Sequence, residues 1–205
     1  STILDAALVA DAQGDAHAVV LIRRESSSWG NTTIEDLLYY TPDVSRGADG
    51  FIELDDFPVD RFNAARDRPV RDISVALDSD GEAHVTYVAR SGRDLSQTEI
   101  RVLTHLTDSQ PLTTLMFETG QDVEVFDAVG ERVSGIRDLA HPVVRIDQAR
   151  RVHVAFYATG WVSTGIRTAV VLHASMDDRR QQGPTTASLL VPIEELADTR
   201  LDLQV

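Results

Sequence analysis

The sequence contains an internal repeat, and this repeat limits the folds open to the chain. Three segments align as LVADAQGDAHAVVLI, VALDSDGEAHVTYVA and VRIDQARRVHVAFYA. An Asp opens the turn in each segment, recurring after 67 and then 69 residues, and a His follows it by six residues every time. These residues are Asp11, Asp78 and Asp147 with His17, His84 and His153. A period of this length predicts a fold built from three similar structural units.

Two further sets of Asp residues recur with the same spacing as the turn. Short apolar stretches end in an Asp before each unit, at Asp5, Asp72, Asp138 and Asp202. A later stretch in each unit ends at Asp43, Asp108 and Asp177. We therefore divide the chain into units at residues 1–67, 68–137 and 138–205.

Each unit separates into short stretches rich in Val, Ile, Leu and Tyr, with Gly, Asp, Ser and Pro between them. Such stretches predict β-strands. We expect four strands per unit, which in the second unit cover residues 73–77, 83–89, 99–106 and 113–118. Residues 122–138 and the stretch VPIEELAD are expected to add a strand or a short helix. Four short antiparallel strands repeated in series predict an all-β fold made of β-propeller blades.

The strand, the D-x-x-G turn and the HV-x-Y pattern resemble the BNR-like and sialidase-like β-propeller repeats. The resemblance covers all three units and implies four-stranded blades of about 67 residues each. The intact Asp-box and the arginine triad of sialidases are not found, so sialidase activity is not implied. A β-trefoil-like fold and a β-sandwich are the alternatives.

Three blades are fewer than the four to eight that usually close a propeller. The stretch TRLDLQV resembles STILDAAL, where the first unit begins. We therefore expect the ring to be completed either by a homo-oligomer, most simply a two-fold dimer, or by further chain.

The charge of the chain restricts its partners. The net charge is −14, with 33 acidic residues against 19 basic ones, all of them Arg. Nucleic acids and anionic membranes require a basic surface, so neither is expected as a partner.

The apolar runs are too short for a membrane-spanning helix. The absence of Cys and Lys excludes disulfides, thiolate chemistry and a lysine Schiff base. The compartment stays open, although we slightly favour an extracellular or cell-surface location.

The recurring histidines are interpreted as structural. A catalytic residue is needed once per site, whereas these occupy one position in every unit. An Asp at a turn accepts backbone N–H groups, and a His six residues later can reach back to it. No cofactor and no metal are predicted, because the DSDGE segment lacks the alternating ligands of a calcium loop.

Candidate binding residues lie in the loops expected between the second and third strands of each unit. These loops read RRESSSWGNTT, RSGRDLSQTE and TGWVSTGIRT. Trp beside Arg and small polar residues suits stacking on a sugar ring or anchoring a protein partner. The alternative is that each Trp packs between adjacent blades, as the high average burial of Trp favours. The candidates are Trp29, Trp161, Arg24, Arg90, Arg93, Arg167 and Asn31. We expect Asp5, Asp72 and His141 to face a central channel.

Two main classes of function remain. The first is a non-enzymatic β-propeller that binds a glycan or a protein, or serves in assembly, through its loop face. The second is a carbohydrate-active hydrolase or lyase, for which the sequence assigns no catalytic residues.

Overall fold

The computed structural model describes residues 1–26, 32–41, 51–59, 70–90, 97–106, 112–120, 125–126, 130–177, 185–186 and 192–193. All regular elements in these segments are β-strands, which confirms the all-β prediction. Among the described residues, no helix has the length and apolar character needed to cross a bilayer.

The strands form three antiparallel sheets that follow one another along the chain. The first contains, in spatial order, β1 (Thr2–Ala10), β2 (Ala16–Ser26), β3 (Thr32–Tyr40) and β4 (Phe51–Val59). The second contains β5 (Val70–Leu77), β6 (Ala83–Arg90), β7 (Thr98–Thr104) and β8 (Leu112–Glu118). The third is built on β9 (Val125–Phe126), β10 (Arg132–Ile146), β11 (Arg151–Trp161) and β12 (Arg167–Asp177). Two short strands, β13 (Thr185–Thr186) and β14 (Pro192–Ile193), pair with β12.

The four strands expected in the second unit are all present, within a few residues of their predicted ends. The long strands of the first and third sheets extend into segments that we expected to be loops. β2 includes both Arg23 and Arg24, while β11 and β12 include Trp161 and Arg167. The described strands form open sheets and no closed barrel, which argues against the β-trefoil alternative.

The Asp that marks each unit opens a tight turn with the same hydrogen bonds each time. In the second sheet, the carbonyl of Asp78 accepts the N–H of Gly81 at 3.1 Å. The Asp78 carboxylate also accepts the N–H groups of Asp80 and Glu82, both at 2.9 Å. Equivalent bonds form around Asp11 and Asp147. A short acidic side chain that satisfies successive N–H groups explains why Asp begins each turn.

The third turn differs from the others at one backbone position. Gly14 and Gly81 have φ angles of +88° and +80°, a left-handed conformation that costs glycine little. Arg150 occupies this position in the third turn with φ +63°. A non-glycine residue in this conformation needs support from its surroundings.

Among the described residues, the hydrophobic core forms two layers, one on each side of the second sheet. Side chains of the first sheet, including Leu21 and Tyr39, pack against Val85 and Tyr87 of β6. On the other side, Phe117 of β8 packs against Phe156 of β11, with ring centroids 5.2 Å apart. Since successive residues of a strand point to opposite faces, β6 is buried along almost its whole length.

Candidate functional site

The three recurring histidines lie against the Asp of their own turn. The Nε2 atom of His84 is 3.6 Å from Oδ2 of Asp78, and both side chains are fully buried. The equivalent distance from His153 to Asp147 is 3.2 Å, and from His17 to Asp11 it is 3.7 Å. The same contact in three sheets supports the structural interpretation of these histidines.

Asp78, Glu82 and His84 also form a compact group whose potential ligand atoms lie within 4.8 Å of one another. The guanidinium of Arg150 reaches this group from the third sheet. Its Nη2 atom is 2.8 Å from Oδ2 of Asp78 and 3.4 Å from Oε2 of Glu82, and Nη1 pairs with Asp80. A protein cation therefore already pairs with all three carboxylates, although its single charge balances only one of them, and we interpret the group as an ion-pair network between two sheets.

The pKa of Asp78 reflects this environment. Burial is the largest single influence and raises the pKa, because it penalises the carboxylate. The N–H groups of Glu82 and Asp80, followed by the charges of Arg150 and His84, together outweigh burial. The net result is a pKa below the ordinary value of 3.8.

A polar cleft of about 480 Å³ lies between the second and third sheets, at the end of β5 opposite the Asp78 turn. Its lining comes from β5, β7, β10 and the residues after β8. The lining residues are Arg71, Gln97, Thr98, Thr119, Gly120, Gly135, Ile136, Arg137 and Asp138. Arg71 bridges the two sheets, because its Nη2 donates to the carbonyl of Leu139 at 3.0 Å. The cleft walls therefore present guanidinium, amide, hydroxyl and carboxylate groups.

Asp138 lines this cleft and also forms hydrogen bonds with Thr159 and Arg167 of the third sheet. Its Oδ2 accepts a hydrogen bond from Oγ1 of Thr159 at 2.7 Å and an ion-paired one from Arg167. Arg167 also donates to Oγ1 of Thr159 at 3.2 Å. Asp138 has φ +49°, a left-handed conformation that is uncommon for a residue other than glycine.

Trp161 lies beside the hydrogen-bonded residues Asp138, Thr159 and Arg167. It pairs with Arg167 across the β11–β12 hairpin, and 43% of its surface is exposed. A Cβ atom placed on Gly135, one of the cleft residues, would lie 3.4 Å from Cδ1 of Trp161. We call Asp138, Thr159, Trp161 and Arg167 the Trp161 rim. It combines an exposed aromatic ring with charged and hydroxyl groups next to the cleft.

The structure brings together two of the candidate residues, Trp161 and Arg167. Arg24 instead lies in the first sheet, where it forms an ion pair with Asp36. Arg90 ends β6. Trp29, Asn31 and Arg93 lie outside the described residues.

Sequence reasoning did not select Arg71, Arg137 and Thr159, and it noted Asp138 only as a landmark of the repeat. Two signals were available: the recurrence of Asp138, and the position of Thr159 at the start of the segment TGWVSTGIRT. The others follow from pairing between strands that are far apart in sequence.

The three residues expected to face a channel connect one strand of each sheet to a strand of the next sheet. Oδ2 of Asp5 accepts the N–H of Ile73 at 3.1 Å, and Oδ2 of Asp72 accepts the N–H of His141 at 3.0 Å. The side chain of His141 is largely exposed, and its ring meets the edge of Tyr157. β1 is thereby joined to β5, and β5 to β10.

Comparison with known proteins gives only distant similarities. No family model and no curated protein matches the chain. A fucose lectin from Kordia zhangzhouensis in complex with methyl-fucoside is 12% identical, with a TM-score of 0.38, over 89% of this chain and 96% of the lectin. An N-acetylgalactosamine deacetylase from F. plautii in complex with blood group B trisaccharide is 11% identical, with a TM-score of 0.46, over 93% of this chain and 53% of that protein. These values establish no family, and the resemblance to BNR-like repeats stays unconfirmed.

Proposed function

We propose that the protein is a non-enzymatic β-propeller module that binds a carbohydrate in the cleft between its second and third sheets. The observation that carries this proposal is the connection of the cleft, through Asp138, to the Trp161 rim. The propeller arrangement is supported by the packing of the three sheets in chain order and by the bonds of Asp5 and Asp72. These bonds place β1 next to β5, and β5 next to β10.

The chemistry of the cleft suits sugar hydroxyl groups. Each hydroxyl both donates and accepts a hydrogen bond, so its site needs donors and acceptors side by side. Arg71 and Arg137 supply donors, Asp138 supplies an acceptor, and Gln97 supplies both. A volume of about 480 Å³ lies within the usual range for small-ligand sites. An exposed indole such as that of Trp161 offers an apolar face on which a sugar ring can stack.

The composition of the cleft favours binding over hydrolysis. Glycoside hydrolases generally place two carboxyl groups on either side of the scissile bond. Among the described residues that line this cleft, Asp138 provides the single carboxylate. Its Oδ2 already accepts hydrogen bonds from Arg167 and Thr159, which fixes the carboxylate in place and leaves Oδ1 as the acceptor for a ligand.

A glycan array that displays neutral and acidic oligosaccharides, followed by calorimetry on the best ligand, tests this proposal. We expect Trp161→Ala to weaken binding about 30-fold, the effect of a typical aromatic hot spot. Asp138→Asn is expected to weaken it by a similar factor, because Asn tolerates the left-handed backbone but cannot pair with Arg167 as an anion.

Ile166→Ala is the matched control. Ile166 lies in the same hairpin and is 64% exposed, but it is not among the residues of the cleft or the Trp161 rim. It should leave the affinity unchanged. If the wild type binds no glycan, or if both site variants bind as well as the wild type, the proposal is wrong.

A further inference from the structure

Two arginine side chains line the cleft between the second and third sheets, and neither forms an ion pair with the residues that the structure describes. Arg71 is partly buried near the start of β5, and Arg137 is exposed on β10. The guanidinium of Arg71 donates to the carbonyl of Leu139, a neutral acceptor. Its Nε atom is buried and has no hydrogen-bond partner among the described residues. The cleft therefore holds cationic groups whose charge is not matched by a nearby carboxylate.

Other partly buried arginines in this chain do contact carboxylates. The pairs are Arg23 with Glu35, Arg24 with Asp36, Arg101 with Glu99, and Arg150 with Asp78. The chain has 33 acidic residues against 19 basic ones, so carboxylates are in excess. A partly buried guanidinium that lacks one, as Arg71 does among the described residues, is an exception that points to a ligand.

The charge balance of the cleft is positive, although the whole chain is acidic. Its described lining includes Arg71, Arg137 and Asp138, and Asp138 pairs with Arg167. Three guanidinium groups therefore face one carboxylate. The net charge of −14 is spread over the molecule, and salt screens distant charges beyond about 8 Å at physiological ionic strength. A ligand in the cleft therefore responds mainly to the nearby guanidinium groups.

We propose that the carbohydrate bound in this cleft carries an anionic group, a carboxylate or a sulfate, which pairs with Arg137 and Arg71. This inference rests on the proposed function and specifies the chemical class of its ligand. A guanidinium can donate parallel N–H groups to the oxygens of an anion, and such bonds are stronger than those between neutral groups. Oδ1 of Asp138 accepts a hydroxyl group of the same sugar.

Calorimetry with matched pairs of oligosaccharides tests the inference. One pair is a hexuronic-acid oligosaccharide and its carboxyl-reduced form, and the other is a sulfated oligosaccharide and its desulfated form. We expect the acidic member of at least one pair to bind about 10-fold more tightly than its neutral partner, the effect of one charge-assisted hydrogen bond. The pair that shows the preference identifies the anionic group as a carboxylate or a sulfate.

Arg137→Gln tests the role of the exposed guanidinium. This variant should bind the acidic oligosaccharide about 10-fold more weakly and the neutral one with unchanged affinity. Because Arg137 is exposed, the substitution should not impair folding. Arg71→Gln should reduce the preference in the same way. Since Arg71 also donates to Leu139, urea denaturation of this variant separates lost binding from lost stability.

Arg151→Gln is the matched control, because it removes the same charge from another exposed arginine. Arg151 lies on β11, eight residues from Thr159, the strand partner of Arg137. That separation corresponds to about 26 Å along the strand, so this variant should keep the wild-type preference.

The outcomes distinguish this inference from the proposed function. If the wild type binds the acidic and neutral members of both pairs equally, the inference is overturned and carbohydrate binding stands. The same holds if the preference survives in both Arg137→Gln and Arg71→Gln. If the wild type binds no oligosaccharide of either kind, both the inference and the proposed function are wrong.

Discussion

Replacing Asp78 by Ala is expected to lower the free energy of unfolding by about 3 kcal/mol, measured by urea denaturation. Its carboxylate is fully buried, accepts two backbone N–H groups and contacts the guanidinium of Arg150. The substitution leaves two partly buried backbone N–H groups without their acceptor. It also removes the most buried part of the anionic charge that pairs with the side chain of Arg150.

Asp147→Ala is the matched control, because Asp147 opens the equivalent turn of the third sheet. Its carboxylate accepts the N–H groups of Ala149 and Arg151 in the same way, but it is partly exposed, and it pairs with His153. Water can replace the lost acceptor there, so a loss of about 1 kcal/mol is expected. Equal losses in the two variants would show that burial and Arg150 add nothing to the role of Asp78.

The pH dependence of stability gives a second measure of Asp78. Since its folded-state pKa lies below the ordinary value of 3.8, the folded protein binds this proton less readily than the unfolded chain. The carboxylate therefore stabilises the fold above about pH 3.8, and this contribution is lost as the pH falls through the folded-state pKa. Asp78→Asn should flatten the acid side of the curve of unfolding free energy against pH. An unchanged acid slope would contradict the assignment.

Local features of the sequence predicted the strands and turns well. Alternating apolar residues and an Asp at each turn act within a few residues, so they can be recognised in the sequence alone. The contacts of Arg150 could not be predicted from such local features. The sequence reveals only that an Arg replaces the Gly of the other two turns. Its partners Asp78 and Glu82 belong to the preceding sheet, and the packing that brings them together depends on the whole fold.

The candidate site was predicted in part for a similar reason. The composition of one hairpin identified Trp161 and Arg167, because an aromatic residue beside Arg is conspicuous in a polar segment. Asp138 and Thr159 come from β10 and β11, and strand pairing with a bulge between Arg137 and Ala140 sets their positions. A bulge shifts the alternation of side chains, so the sequence pattern cannot tell which face Asp138 occupies.

Arg24 was a candidate for ligand binding, but its surroundings predict a mainly structural role. Its Nη2 donates to Oδ1 of Asp36 at 3.1 Å, and Nε contacts Oδ2. Asp36 is almost completely buried, so Arg24→Ala leaves a carboxylate without its main counter-charge. We expect this variant to lose about 3 kcal/mol of unfolding free energy and to keep wild-type affinity for glycan.

The double variant Arg24→Met with Asp36→Leu separates the ion pair from the packing around it. Replacing both partners by apolar side chains removes the unpaired charge, so most of the stability lost in Arg24→Ala should return. Urea denaturation at one protein concentration measures stability, and calorimetry on the same samples measures glycan affinity. If Arg24→Ala instead abolishes glycan binding while the unfolding free energy is unchanged, then Arg24 contacts the ligand, and the binding site must extend to the first sheet.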